Sequence, residues 1–175
     1  AFGYSLDEVG AKVGATRQFI HQLEVEAKPP SRELVTALAG ALGVTPRFFS
    51  ASPRATVRPE QCHFRKQRTT PLAVVSQVLA RGTLLDGFVS KLDRELDLPK
   101  VCFPDIPVST LYEVEDVADA ARAHWQLGTG PISSMMRVVE NAGAVVGFFG
   151  GVSERVDALS IDAVRPMIIR SDAKP

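Results

Sequence analysis

The residues best equipped for chemistry are Arg17, Gln18, His21 and Gln22, a polar row within SLDEVGAKVGATRQFIHQLE at 5–24. Arginine donates two parallel hydrogen bonds to the O6 and N7 of guanine, and glutamine pairs with the N6 and N7 of adenine. Arg17 and Gln18 fall in the first turn of a short helix, with Gln22 one turn beyond Gln18 and His21 free to donate to a phosphate or a base. The first-turn amides near Ser5 and Thr16 suit phosphate, because helix N-termini attract anions. Lys28 and Arg47 add cations that can hold a phosphate backbone.

Other chemistries find less support. His21, His63 and His124 stand in three separate elements without an i, i+4 pair, and no Asp or Glu flanks them in a metal-ligand pattern. Cys62 and His63 are adjacent rather than metal-spaced, and Ser133-Ser134 has no base at a recognisable spacing. Gly128-Thr129-Gly130-Pro131 lacks the Gly-Lys-Ser/Thr of a phosphate loop and reads as a helix boundary. His124, Trp125, Met135 and Met136 read as core residues. No catalytic residue, metal ligand or cofactor is expected in this chain.

The polar row requires a rigid frame. Ser5 with Glu8 forms a capping box ahead of an apolar stripe of Leu6, Val9 and Val13. Gly14 breaks that helix, and Thr16 caps a second, with Ile20 and Leu23 inward. Small residues at Gly10 and Ala11 let the two helices approach closely. A third helix runs from Ser31 through Leu34, Leu38 and Leu42 to Gly43, with Val44, Phe48 and Phe49 placed to close the core. Residues 51–71 hold three prolines and five basic residues and read as a linker. From Leu72 apolar residues recur every three or four positions to Leu96, a long helix ending before Pro99. A helix capped by Ser109 or Thr110 and stopped by Gly128 follows, then one opened by Pro131 and ended by Asn141 and Gly143. Residues 144–149 and Met167-Ile168-Ile169 read as short strands.

The charge is uneven although the total is zero. Residues 1–50 carry 5 basic and 5 acidic side chains, residues 51–70 carry 5 basic against Glu60, and the remainder carries 10 basic against 14 acidic. A basic segment between a neutral head and an acidic body suits contact with a polyanion. With 45% hydrophobic and 23% charged residues the composition is that of a globular protein. No apolar run approaches the roughly 20 residues of a membrane span, so no membrane partner is expected. Two cysteines make neither a disulfide framework nor a four-thiolate zinc site, and a reduced pair in a cytoplasmic protein is expected.

The string GAKVGATRQFIHQLEVEAKPP resembles the Cro/C1-type helix-turn-helix of the Xre family in Thr16, Ile20, Leu23, Glu24, Lys28 and Pro30. Gly10 departs from it, where the family usually has Ala, and so does Glu26, where Gly usually ends the helix. Residues 63–175 resemble more diffusely the segment joining such a head to an ImmA/IrrE-type metallopeptidase-like domain. His63-Phe64-Arg65-Lys66, Thr69-Thr70-Pro71, Glu115-Asp116-Val117-Ala118, Trp125-Gln126-Leu127-Gly128, Gly130-Pro131-Ile132, Glu140-Asn141-Ala142-Gly143 and Asp157-Ala158-Leu159-Ser160 carry it in order.

The resemblance implies an N-terminal all-α, lambda-repressor-like helix-turn-helix domain at 1–50, the linker at 51–71, and a helix-rich α+β region, metallopeptidase-like or regulatory, at 72–175. It implies truncation as well: the family's first helix would precede residue 1, and a zinc-binding His-Glu-x-x-His helix would follow the last strand, so zinc belongs only to a longer parent. The function it implies is a transcriptional regulator that binds double-stranded DNA as a homodimer, on half-sites about 10 bp apart in a pseudo-palindromic operator. Ser5, Thr16, Arg17, Gln18, His21, Gln22, Lys28 and Arg47 would make the contacts, and the second half would dimerise or sense a ligand or partner protein. A zinc peptidase targeted to DNA or to a repressor, or an antitoxin-like module gripping a partner protein, are the alternatives.

Overall fold

A computed structural model describes residues 2–50, 57–107, 113–151 and 154–172. The chain divides into two compact units, residues 1–55 and 56–175.

In the first unit, α1 (Leu6–Val13), α2 (Arg17–Glu24) and α3 (Arg32–Leu42) precede a 3-10 turn at Pro46–Ser50. Each helix starts where a hydroxyl side chain takes up a free first-turn amide: Ser5, Thr16 and Ser31 accept from the amides of Glu8, Phe19 and Leu34. Ile20, Leu38 and Ala39 are buried between the helices. Phe48 and Phe49 do not close this core as expected. They stay 38% and 39% exposed, and Phe48 meets Phe2 and Phe49 edge-on instead. An apolar groove lined by Tyr4, Val9, Leu23, Val35 and Phe49 remains open beside them.

The second unit is α+β. It contains β1 (Cys62–Lys66), α4 (Leu72–Glu95), α5 (Val114–His124), α6 (Met135–Asn141), β2 (Val145–Phe149), β3 (Val156–Ile161) and β4 (Met167–Ser171). The strands form a mixed sheet in the order β1-β3-β4-β2, antiparallel except for the β2–β4 pair. Val78 and Val89 of α4 pack with Leu159, Ile161, Met167 and Ile169 of the sheet in one core cluster. Burying a side chain of this size contributes about 1.5–3 kcal/mol, so this cluster is the main apolar store of the unit.

Several expectations need correction. The stretch read as linker is partly core: Val57 is buried, its N–H donates to Thr83 Oγ1 at 3.0 Å, and Cys62–Lys66 is an edge strand. Strand β3 was not expected. Its register with β1 skips Asp157, pairing Arg65 with Ala158 and Lys66 with Val156. This irregularity shifts the alternation by one, so Val156 faces inward together with Leu159 and Ile161. Helix α5 begins at Val114, and the caps expected at Ser109 or Thr110 lie outside the described residues. Helix α6 starts after a Ser134 cap rather than at Pro131, and its first residues Met135 and Met136 are exposed. His124 is exposed and Trp125 half-buried, so neither is a core residue. Among the described residues α4 is long and apolar enough to cross a membrane, contrary to the expectation, because only Arg81 and Asp86 are charged between Leu72 and Ser90. Its Val78, Gly82 and Val89 are nevertheless buried on the sheet side.

Candidate functional site

The polar row is mounted by the contact of α1 with α2. At Gly10 a side chain would meet the Ala15 carbonyl oxygen at 2.5 Å, and the Ala15 N–H donates back to Gly10 O at 2.9 Å. Glycine at this position, where the resembling family has alanine, therefore permits the close approach. The expected partner Ala11 is exposed. With Ile20 buried beneath it, α2 turns Arg17, Gln18 and His21 to the surface. These three line one shallow depression together with Leu6.

The remaining candidates are placed less uniformly. Gln22 is half-buried and lies outside that depression, so the expectation of a fully outward Gln22 does not hold. A helical step of four residues carries it partly around toward Leu23. Thr16 caps α2 through Phe19 N–H at 3.2 Å, and Lys28 is exposed with its Nζ 6.0 Å from the Phe19 ring centroid. Arg47 is exposed on the 3-10 turn. Arg17 pairs with Asp7 at 3.5 Å, both side chains about two-thirds exposed. Such a surface pair contributes about 0–1 kcal/mol, and so leaves the guanidinium exchangeable for a stronger anion. Asp7 was not legible as its partner, since ten residues and a turn separate the two.

Ser5 is engaged in the capping box. Glu8 Oε2 accepts from the Ser5 N–H at 2.7 Å and the Ser5 hydroxyl at 2.9 Å, so a carboxylate already occupies the anion position of α1. The hydrogen bonds from the Ser5 backbone and side chain hold the Glu8 carboxyl below its ordinary value of 4.5. A depressed folded-state value means that this cap is fully effective above pH 4.5 and is lost as the pH falls through the lowered value. In an NMR titration Glu8 is expected to titrate below 4.5, and Ser5→Ala should move its midpoint upward; an unmoved midpoint would remove the capping explanation.

The segment after α2 keeps the geometry of a glycine-terminated helix without the glycine. Ala27 N–H donates to Gln22 O and Glu26 N–H to Leu23 O, while Glu26 takes φ 55°. A left-handed non-glycine residue costs roughly 1–2 kcal/mol. The departure at Glu26 therefore leaves the turn in place and weakens it.

The described residues contain no group of three His, Cys, Asp or Glu side chains able to hold a metal. His21, His63 and His124 lie on α2, β1 and α5. One pair that the sequence did not bring together is Cys102 and His124, with Sγ 3.2 Å from Nε2. They are 22 residues apart, and no spacing rule links them. Compared with family models, curated proteins and solved structures, the chain finds no match.

Proposed function

We propose that the chain is a sequence-specific regulator of transcription that binds double-stranded DNA. In this reading α1, the Gly14 turn and α2 are a helix-turn-helix of the Xre type, and α2 is the helix that enters the major groove. The single observation that carries it is the convergence of exposed Arg17, Gln18 and His21 at the N-terminal half of α2 over a buried Ile20. The N-terminal residues of such a helix are the ones that reach base edges. Arg17 and Gln18 then read bases, His21 contacts a base or a phosphate, and Thr16, Lys28 and Arg47 hold the backbone. Gln22, half-buried, has the smaller share, and Ser5 contributes through its cap. The protein acts in the cytoplasm as a dimer on a pseudo-palindromic site, with the α+β unit serving dimerisation or signal sensing.

The test starts from a random duplex library, selected on the full chain to yield a cognate site. Gln18→Ala is expected to weaken binding by about 1–3 kcal/mol at one base position, with little effect on scrambled duplex. Arg47→Ala is expected to weaken all duplexes alike and to lower the slope of log K against log salt by about one. Failure to select any site, or equal losses on cognate and scrambled duplex from Gln18→Ala, would overturn the base-reading role.

A further inference from the structure

Cys102 and His124 belong to the second unit, and the proposed DNA contacts do not involve them. Cys102 is exposed on the segment after α4, and His124 is the last residue of α5. The contact is held from several sides. Cys102 N–H donates to Ala142 O at 2.9 Å, and the Trp125 indole N–H donates to Cys102 O at 2.8 Å. The Trp125 ring in turn meets Phe103 edge-on at 5.4 Å. Both main-chain polar groups of Cys102 are thus fixed, so its Sγ is presented to the imidazole by the fold rather than by chance rotation. A thiol within hydrogen-bond reach of an imidazole is a nucleophile paired with its base.

We propose that Cys102 is a peroxide-reactive thiol and that His124 is the base that activates it. With the proton of His124 on Nδ1, Nε2 takes the proton of the Cys102 thiol. The thiolate attacks one oxygen of hydrogen peroxide, an S–O bond forms and the O–O bond breaks. The leaving hydroxide takes the proton back from the imidazolium. The thiol is oxidised to a sulfenic acid and the peroxide is reduced to water, one molecule for each thiol. The chain carries its own control in Cys62, which is half-buried in the edge strand β1. Burial, and secondarily the charge of Glu60, push that thiol up from its ordinary value of 9.0.

The experiment exposes the full chain at pH 7 to hydrogen peroxide with dimedone as the sulfenic-acid trap, and follows each cysteine by peptide mass spectrometry. Cys102 should be labelled about tenfold faster in the folded chain than in the same chain unfolded in urea, since unfolding separates it from His124. Cys62 should be the slower of the two thiols in the folded chain, and in urea the two should react within about twofold of each other. His124→Gln should bring the folded-chain rate of Cys102 down to the unfolded value, and free imidazole in the buffer should restore part of it. Fluorescence of Trp125, the chain's one tryptophan, should change in step with Cys102 labelling. A Cys102 rate that is the same folded and unfolded would overturn the proposal, as would a rate indifferent to His124→Gln or a loss that imidazole does not relieve. Because the folded-to-unfolded comparison needs no variant, the proposal stays testable if His124→Gln fails to fold.

Discussion

Asp93→Ala is expected to destabilise the α+β unit by about 3–5 kcal/mol, the cost of stranding a buried charge. Arg165, only 8% exposed, donates from Nε to Asp93 Oδ1 at 3.1 Å, and its Nη2 binds the same carboxylate oxygen. Nη1 donates to the carbonyls of Pro99 at 2.7 Å and Gly143 at 2.6 Å. One guanidinium therefore ties the end of α4, the segment after it, the turn before β2 and the loop before β4. Without Asp93 it would remain buried against two neutral carbonyls. The carboxylate is itself one-third exposed, so water entry places the effect toward the lower end of the range. Arg165→Met in the Asp93→Ala background should recover part of the loss, because the stranded charge goes with it. Urea unfolding followed by Trp125 fluorescence measures both. A loss under about 1 kcal/mol, the contribution of a surface pair, would show that the cluster does not hold these segments.

The second large effect is expected within the same cluster. Gly143 combines φ +90° with a crowded site: an added Cβ would lie 2.7 Å from Val101 Cα and 2.8 Å from both Lys100 O and Val101 N. All three are backbone atoms, so no rotamer change relieves the overlap. Gly143→Ala should therefore cost about 3–4 kcal/mol, among the largest single-residue effects. Gly128→Ala separates the two causes, since Gly128 also has positive φ, +65°, with nothing within 4 Å of the added carbon. It should cost only about 1–2 kcal/mol. Equal losses from the two variants would show that dihedral strain alone decides, and that the segment at 100–101 can retreat.

How much was legible in the sequence follows from the range of each interaction. The starts of α1, α2 and α3 were readable because Ser5, Thr16 and Ser31 act on amides three residues away. Strands β2 and β4 were readable as continuous apolar runs. Strand β1 was not, because Cys62-His63-Phe64-Arg65-Lys66 buries only one side and sits among prolines and cations. Strand β3 was hidden by its own register shift, which places Val156 and Leu159 on one face at a spacing of three. At the candidate site, the outward placement of Arg17, Gln18 and His21 follows from helical period. The half-burial of Gln22, the carboxylate beside Arg17 and the thiol beside His124 depend on contacts between elements, which no local pattern encodes.

The position of β1 in the sheet also governs the order of events as the chain is made. Cys62 pairs with Ile161 and Lys66 with Val156, so the polypeptide must close a loop on the order of 95 residues before this edge can zip. The three N-terminal helices need only neighbours close in sequence and can assemble while the ribosome is still adding the rest. Strand β1 and the apolar row of α4 wait, wet and uncovered, until β3 and β4 have emerged. That interval is when the nascent protein is most open to capture by a chaperone or to pairing with another unfinished copy.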